Sequence, residues 1–178
     1  MEAQLCGKSA RWTCSIIEDR VRQAKSTSSR EHVFSSIWEV FADTLASPFP
    51  LRDGAAQTLT ELSRRGIGLA LVSKRGGRAG SLPLNELRST GLDALFKFVR
   101  VGVDLREYGM VLNEALEVLR AEAQETVVVS DWCKDIEYAK NSGLTAIGIL
   151  GGVSEADEHR NAGADWVIEY LSEIPRVL

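Results

Sequence analysis

Two acidic residues stand four apart directly behind an apolar run, in Val127-Val128-Val129-Ser130-Asp131-Trp132-Cys133-Lys134-Asp135. The run reads as a strand enclosed on both faces, and Ile136-Glu137-Tyr138-Ala139-Lys140 continues at helical spacing. Asp131 then falls at the carboxyl end of the strand, where open α/β sheets bind ligands, and Asp135 falls in the first helical turn. Two hard oxygen donors so placed suit Mg²⁺, which takes one or two carboxylates together with waters and substrate phosphate. Plain helix capping by aspartate, with a solvated acidic neighbour, suits them as well. A second candidate is the strand end Leu71-Val72-Ser73, followed at once by Lys74-Arg75-Gly76-Gly77-Arg78. A glycine-containing turn with three cations can hold an anion, and a solvated basic loop is the plainer alternative. His32 and His159 stand apart from any Cys or Glu at metal-binding spacing and receive no role. Trp12 and Trp38 read as core or interface anchors.

The elements that must position these residues are regular from Gly54 onward. Ala55, Leu59 and Leu62 give a helical stripe over 55–65, with Gly66 as its C′ residue. Ile67 to Val72 reads as a buried strand ending at Ser73. Pro83 to Thr90 reads as a short helix closed by Gly91, and Phe98 to Val101 as a third strand. Met110 to Ala121 reads as a helix with Val111, Ala115, Val118 and Leu119 on one face. Thr145 to Ile149 is a strand ended by Gly151-Gly152, and Trp166-Val167-Ile168 is the last one. Strands alternating with helices predict an α/β fold with a doubly wound, mostly parallel, Rossmann-like sheet and right-handed crossovers.

Composition bounds the rest. With 178 residues, 44% of them hydrophobic, the chain can bury a core as one domain with a small insertion. A net charge of −4 leaves no basic footprint for nucleic acid. Cys6, Cys14 and Cys133 are odd in number and irregular in spacing, which fits neither a disulfide framework nor a zinc site and favours a reducing, cytoplasmic setting. No run approaches a membrane span, and the amino terminus lacks a signal-peptide pattern.

Residues 50 to 178 resemble the haloacid dehalogenase-like (HAD) superfamily, whose best-known members are Mg²⁺-dependent phosphatases such as phosphoglycolate phosphatases. Leu71-Val72-Ser73 resembles the family strand whose terminal Ser or Thr binds the transferring phosphoryl group. Pro50-Leu51-Arg52-Asp53-Gly54-Ala55 resembles the lead-in to the preceding helix, with Asp53 where proline is common. Aligning Glu114-Ala115-Leu116 with the family pattern puts Arg106 where a lysine usually stands, keeping the charge. The acidic motif matches at Asp131 and Asp135, with Ser130 in place of a usual glycine. Ala162-Gly163-Ala164-Asp165-Trp166-Val167-Ile168 resembles the last strand and its approach. The resemblance implies a bound Mg²⁺ held by Asp131 and Asp135. It implies a small phosphorylated metabolite or phosphate contacted by Ser73, Lys74 and Arg106, and catalytic roles for Ser73, Arg106, Asp131 and Asp135.

The resemblance also implies a first strand ending in two aspartates one residue apart, the first a nucleophile that forms an aspartyl-phosphate and the second a general acid and base. No Asp-x-Asp occurs in residues 1 to 60. In Asp53-Gly54 the nucleophile position is held by Leu51, and too little chain separates it from Ser73. Phe41-Ala42-Asp43-Thr44-Leu45 belongs to a four-residue periodicity through Val33, Ile37, Phe41 and Leu45, which predicts an insertion or cap helix over 31–46. Arg11-Trp12-Thr13-Cys14-Ser15-Ile16-Ile17-Glu18-Asp19 suits a strand ending in acid, with Glu18 or Asp19 near the catalytic position. A helix from Ile16 through Ala24 fits the same residues. An empty central strand slot would leave buried backbone groups unpaired at roughly 1–3 kcal/mol each, so a strand is expected to fill it.

The expected organisation is therefore an amino-terminal segment, 1–49, with a first strand and a small helical cap, followed by an α/β core, 50–178. Two functions remain open. One is a Mg²⁺-dependent phosphomonoesterase with an unconventional nucleophile, or with the true first strand in an upstream segment. The other is a HAD-like fold kept for phosphate binding or scaffolding with turnover weak or lost. The amphipathic helix from Val33 to Leu45 suits pairing with a second copy, as a homodimer.

Overall fold

A computed structural model of the chain describes residues 51–74, 84, 85, 87–104 and 106–178. The chain divides into two units, Met1–Phe49 and Pro50–Leu178, and the described residues belong to the second. The strand expected at 11–18, the helix at 31–46, Glu18, Asp19 and the loop from Arg75 to Arg78 lie outside the described residues.

Helix α1, Ala55–Arg64, buries Ala55, Thr58 and Leu62 on one stripe. It closes as expected at Gly66, whose φ is 81°. The Gly66 N–H donates to the Ser63 carbonyl and the Ile67 N–H to Leu62, a Schellman closure that satisfies two orphan carbonyls. That closure corrects the next boundary. Ile67 spends its amide on α1, so strand β1 runs Leu69–Ser73 instead of starting at Ile67. Strand β2, Phe96–Val101, begins two residues before the expected Phe98. The two strands are parallel, with Leu71 opposite Val99 and Ser73 opposite Val101.

Helix α2, Tyr108–Leu119, starts two residues earlier than its hydrophobic pattern suggests, because the Glu107 carbonyl accepts the first helical bond, from the Val111 N–H. Its buried stripe is Tyr108, Val111, Leu112 and Ala115. Val118, expected on that face, is 50% exposed, and Leu112, not expected there, is buried. Strand β3, Val127–Ser130, leads into α3, Cys133–Asn141. Strand β4, Thr145–Ile149, helix α4, Ala156–Asn161, strand β5, Trp166–Ile168, and the terminal α5, Ile174–Val177, complete the order.

Among the described residues the strands form two parallel sheets, β1–β2 and β3–β4–β5. The expected α/β class with parallel strands is what forms. Strand β4 is buried on both faces because successive side chains alternate. Ala146 joins Val103, Tyr108, Val111, Leu112, Ile136, Ala139 and Leu144 on one side. Ile147 and Ile149 join Leu62, Leu69, Ile168 and Ile174 on the other. Ile136 and Ile147 are wholly enclosed, and each such side chain stabilises the fold by about 1.5–3 kcal/mol. These two cores hold the carboxyl ends of β1 and β3 in place.

Candidate active site at the strand carboxyl ends

Strand β1 ends at Ser73, whose carbonyl accepts the Val103 N–H at 3.2 Å, and the chain then turns Lys74 across the edge of the sheets. The Lys74 ammonium forms an ion pair with Asp135 Oδ1 at the start of α3. It lies 4.7 Å from the ring centre of Tyr108 and 4.6 Å from that of Trp132. Two aromatic faces and one carboxylate thus surround a cation that is only 28% exposed, which strengthens each contact relative to water.

The second oxygen of Asp135 is also engaged. Ser130 Oγ donates to Asp135 Oδ2 at 2.8 Å and accepts the Trp132 N–H at 3.2 Å. The hydroxyl that stands where glycine is usual therefore holds the first turn of α3 to the end of β3. Burial pushes the Tyr108 phenol well above its ordinary range, and Asp135 pushes it further, so Tyr108 stays neutral beside Lys74.

Asp131 differs from Asp135. Among the described residues its carboxylate has no hydrogen bond or ion pair. Its side chain rests on Gly152, where an added Cβ would stand 2.1 Å from Oδ2. Buried Ser154 fastens the same loop: its N–H donates to the Asp131 carbonyl at 2.9 Å, and its Oγ accepts the Cys133 N–H at 3.1 Å. One neighbour along the loop, Arg52 donates to the Leu150 carbonyl at 2.5 Å, and an added Cβ at Gly151 would meet its guanidinium. The expected loop glycines are thus a cradle, against Arg52 at Gly151 and against Asp131 at Gly152. Nothing in the sequence singles out Ser154, a lone loop serine whose partners come from the turn after β3 and the start of α3.

Arg106 is not brought to the cluster. Its side chain is 94% exposed, with Asp104 as its ion-pair partner at 4.0 Å, and Asp135 pairs with Lys74. His159, given no role from sequence, is wholly buried against Gly148 of β4. Neither ring nitrogen reaches hydrogen-bond geometry, the Ile149 carbonyl included. Burial draws its pKa below the ordinary value, against a smaller opposing pull from Asp131.

The donor set bears on a divalent cation. No group of three or more His, Cys, Asp or Glu residues among those described could enclose a metal. Mg²⁺ does not need one, since it keeps several waters and takes one or two carboxylates with phosphate. Asp131, at the sheet edge and unpaired among the described residues, fits that demand. Asp135, with both oxygens engaged, fits a supporting position behind it.

Residues 14–149 match the haloacid dehalogenase-like hydrolase family. A phosphoglycolate phosphatase of Vibrio cholerae is 28% identical over 151 residues, covering 83% of this chain and 64% of the relative. Its counterpart in Neisseria meningitidis is 29% identical over 171 residues, covering 89% and 68%. A pyrophosphatase, PpaX, of Halalkalibacterium halodurans is 25% identical over 136 residues, covering 74% and 60%. The chain thus spans about three-fifths to two-thirds of the length of these relatives. Among solved structures, a predicted phosphoglycolate phosphatase from Haemophilus somnus superposes with a TM-score of 0.72 at 18% identity, over 88% of this chain and 71% of its own. A haloacid dehalogenase-like family hydrolase from Streptococcus pneumoniae gives 0.67 at 14%, over 86% and 73%. Those likenesses establish the Rossmann-type fold.

Proposed function

The chain belongs to the haloacid dehalogenase-like hydrolases, on the phosphatase side of that family, and from this premise we propose that it binds a small phosphorylated compound with Mg²⁺ and turns it over weakly or not at all. The observation that carries the proposal is a carboxylate without a partner among the described residues, Asp131, four positions before a locked one, Asp135, at the carboxyl end of β3. Mg²⁺ bound there would supply positive charge to the phosphoryl oxygens.

The side chains divide the work as follows. Asp131 is the direct metal ligand, and Gly152 leaves room for its carboxylate. Asp135 supports it indirectly, through Lys74 and Ser130. Ser73, at the end of β1, offers its hydroxyl to a phosphoryl oxygen. Arg106, in solvent, is left out of the reading. The chain contains no Asp-x-Asp, so the paired aspartates that the resemblance implies for covalent transfer are not found in it. A replacement acid such as Glu18 carries an extra methylene, and a misplacement of about 1 Å can cost roughly 100-fold in rate. Odd, irregularly spaced cysteines favour a cytoplasmic protein, and no helix among the described residues is long and apolar enough to cross a membrane.

The test is Mg²⁺ binding by calorimetry, run beside Mg²⁺-dependent phosphate release from an aryl phosphate, in the full chain and in Asp131→Ala. Mg²⁺ should bind the wild type and weaken at least about tenfold in the variant, as for loss of a metal-site residue, with phosphate release equal in both. Robust release by the wild type, abolished by Asp131→Ala, would overturn the weak-or-absent turnover and direct the search to Glu18 and Asp19. Mg²⁺ binding unchanged by the substitution would overturn the site itself.

A further inference from the structure

Lys74 is adjacent in sequence to Ser73, which the proposed function puts on the anion, yet its ammonium lies on Asp135, which that function puts behind the cation. Its route is fixed by several independent contacts. Tyr108 comes from the start of α2, Trp132 from the turn after β3, and Asp135 from α3. Tyr108 is itself set by a tilted contact with Tyr138 at 5.7 Å and by burial in the core. Among the described residues β1 pairs with β2 and β3 with β4, so Lys74 joins the carboxyl ends of two different sheets. Arg106, the cation that the alignment puts at the site, is 94% exposed against 28% for Lys74.

Charge follows from this geometry. Lys74 neutralises Asp135, and among the described residues Asp131 is left as the carboxylate without a counter-charge. A divalent cation at Asp131 therefore meets one net negative charge and, beyond it, the ammonium of Lys74. An anion at Ser73 meets that same ammonium with the opposite sign. We infer that Lys74 is a positioning residue that straps the anion half-site at the end of β1 to the cation half-site at the end of β3, and that it performs the role sequence alignment gives to Arg106. This inference rests on the proposed function for the identity of the two half-sites. By linkage, whatever Lys74 does to one ligand in the presence of the other must be reciprocal.

The charge argument predicts opposite signs. In Lys74→Met, which keeps the stem between the two rings and removes the charge, Mg²⁺ should bind several-fold more tightly and inorganic phosphate several-fold more weakly. Lys74→Arg should restore both values to within about threefold, and Arg106→Ala should move neither beyond twofold. Calorimetry with Mg²⁺ alone, phosphate alone and each in the presence of the other reads all of these. Equal weakening of both ligands in Lys74→Met would mean that Lys74 only holds the fold, and the effect appearing in Arg106→Ala would move the role to that residue; either overturns the inference. If the wild type binds neither ligand, the proposed function fails and the strap is judged separately. Unfolding equilibria of Lys74→Met, Asp135→Asn and the double variant should then show coupling of roughly tenfold. Additive effects would sink the strap as well.

Discussion

Two lysine–carboxylate pairs, at opposite ends of the β3–β4–β5 sheet, use the same chemistry to different ends. At the carboxyl end, Lys74 and the Ser130 hydroxyl hold Asp135. At the other end, Lys140 Nζ donates to Asp165 at 2.7 Å, and Asp165 accepts the Ala146 N–H at 2.8 Å. The Asp165 pair is about one-third exposed and closes on itself, tying the start of β4 to the approach to β5. Around the Asp135 pair, two aromatic rings flank the ammonium, and a second carboxylate, Asp131, has no partner among the described residues. A saturated ion pair is a stitch. The same stitch next to a bare carboxylate on a glycine cradle is a candidate binding site, and the difference lies in the neighbours.

The comparison breaks most visibly under matched substitutions. Asp135→Asn leaves the Lys74 ammonium without its counter-charge in a largely enclosed place, and should cost about 2–3 kcal/mol in chemical denaturation, below the full cost of breaking a fully buried pair. Gly152→Ala should come next, at about 1–3 kcal/mol, since the added methyl must displace Asp131. Calorimetry on that variant should also show Mg²⁺ affinity falling with it.

Asp165→Asn should cost about 1 kcal/mol, because solvent screens that pair. Its pH dependence has a definite sign. The Lys140 hydrogen bond, helped by the Ala146 amide, holds the Asp165 carboxyl below its ordinary value near 3.8. Its stabilisation is thus complete above that value and lost as the pH falls through the lowered one. Wild type and Asp165→Asn should converge in strong acid, and an equal gap at pH 7 and pH 2 would refute the assignment. The ligand edge should respond earlier. The unfolded chain protonates His159 near pH 6.5 while burial makes the folded one resist, so stability should start to fall as the pH drops below that value. In His159→Leu that early loss should be absent from thermal melts taken across the range.

Part of this was legible along the chain. The run Val127 to Val129 ahead of Asp131 fixed the end of β3, Thr145 to Ile149 is the observed β4, and Gly66 closes α1 as its position suggested. Each is a local signal: burial periodicity, or a backbone conformation that one residue type adopts easily. The HAD-like family was equally readable, from motifs in residues 50 to 178, and the family match over residues 14–149 agrees. Boundaries were less so, as Ile67 and Val118 show, because a helix closure or a slight rotation of a helix face reassigns a residue without altering the pattern around it.

The partners of the charges were decided by the tertiary structure alone. Sequence offered Lys74, Arg106 and two further loop cations, Arg75 and Arg78, to two aspartates, and nothing local ranks them. The fold carries Lys74 between Tyr108 and Trp132 to Asp135 and leaves Arg106 in water. It also gives Ser130 its acceptor and Ser154 its two bonds. A periodic pattern reports which face of an element is buried, because burial acts residue by residue along that element. An ion pair between β1 and α3 depends on where two elements, 61 positions apart in sequence, come to lie and how far a side chain can reach, and that geometry exists only once the cores have packed.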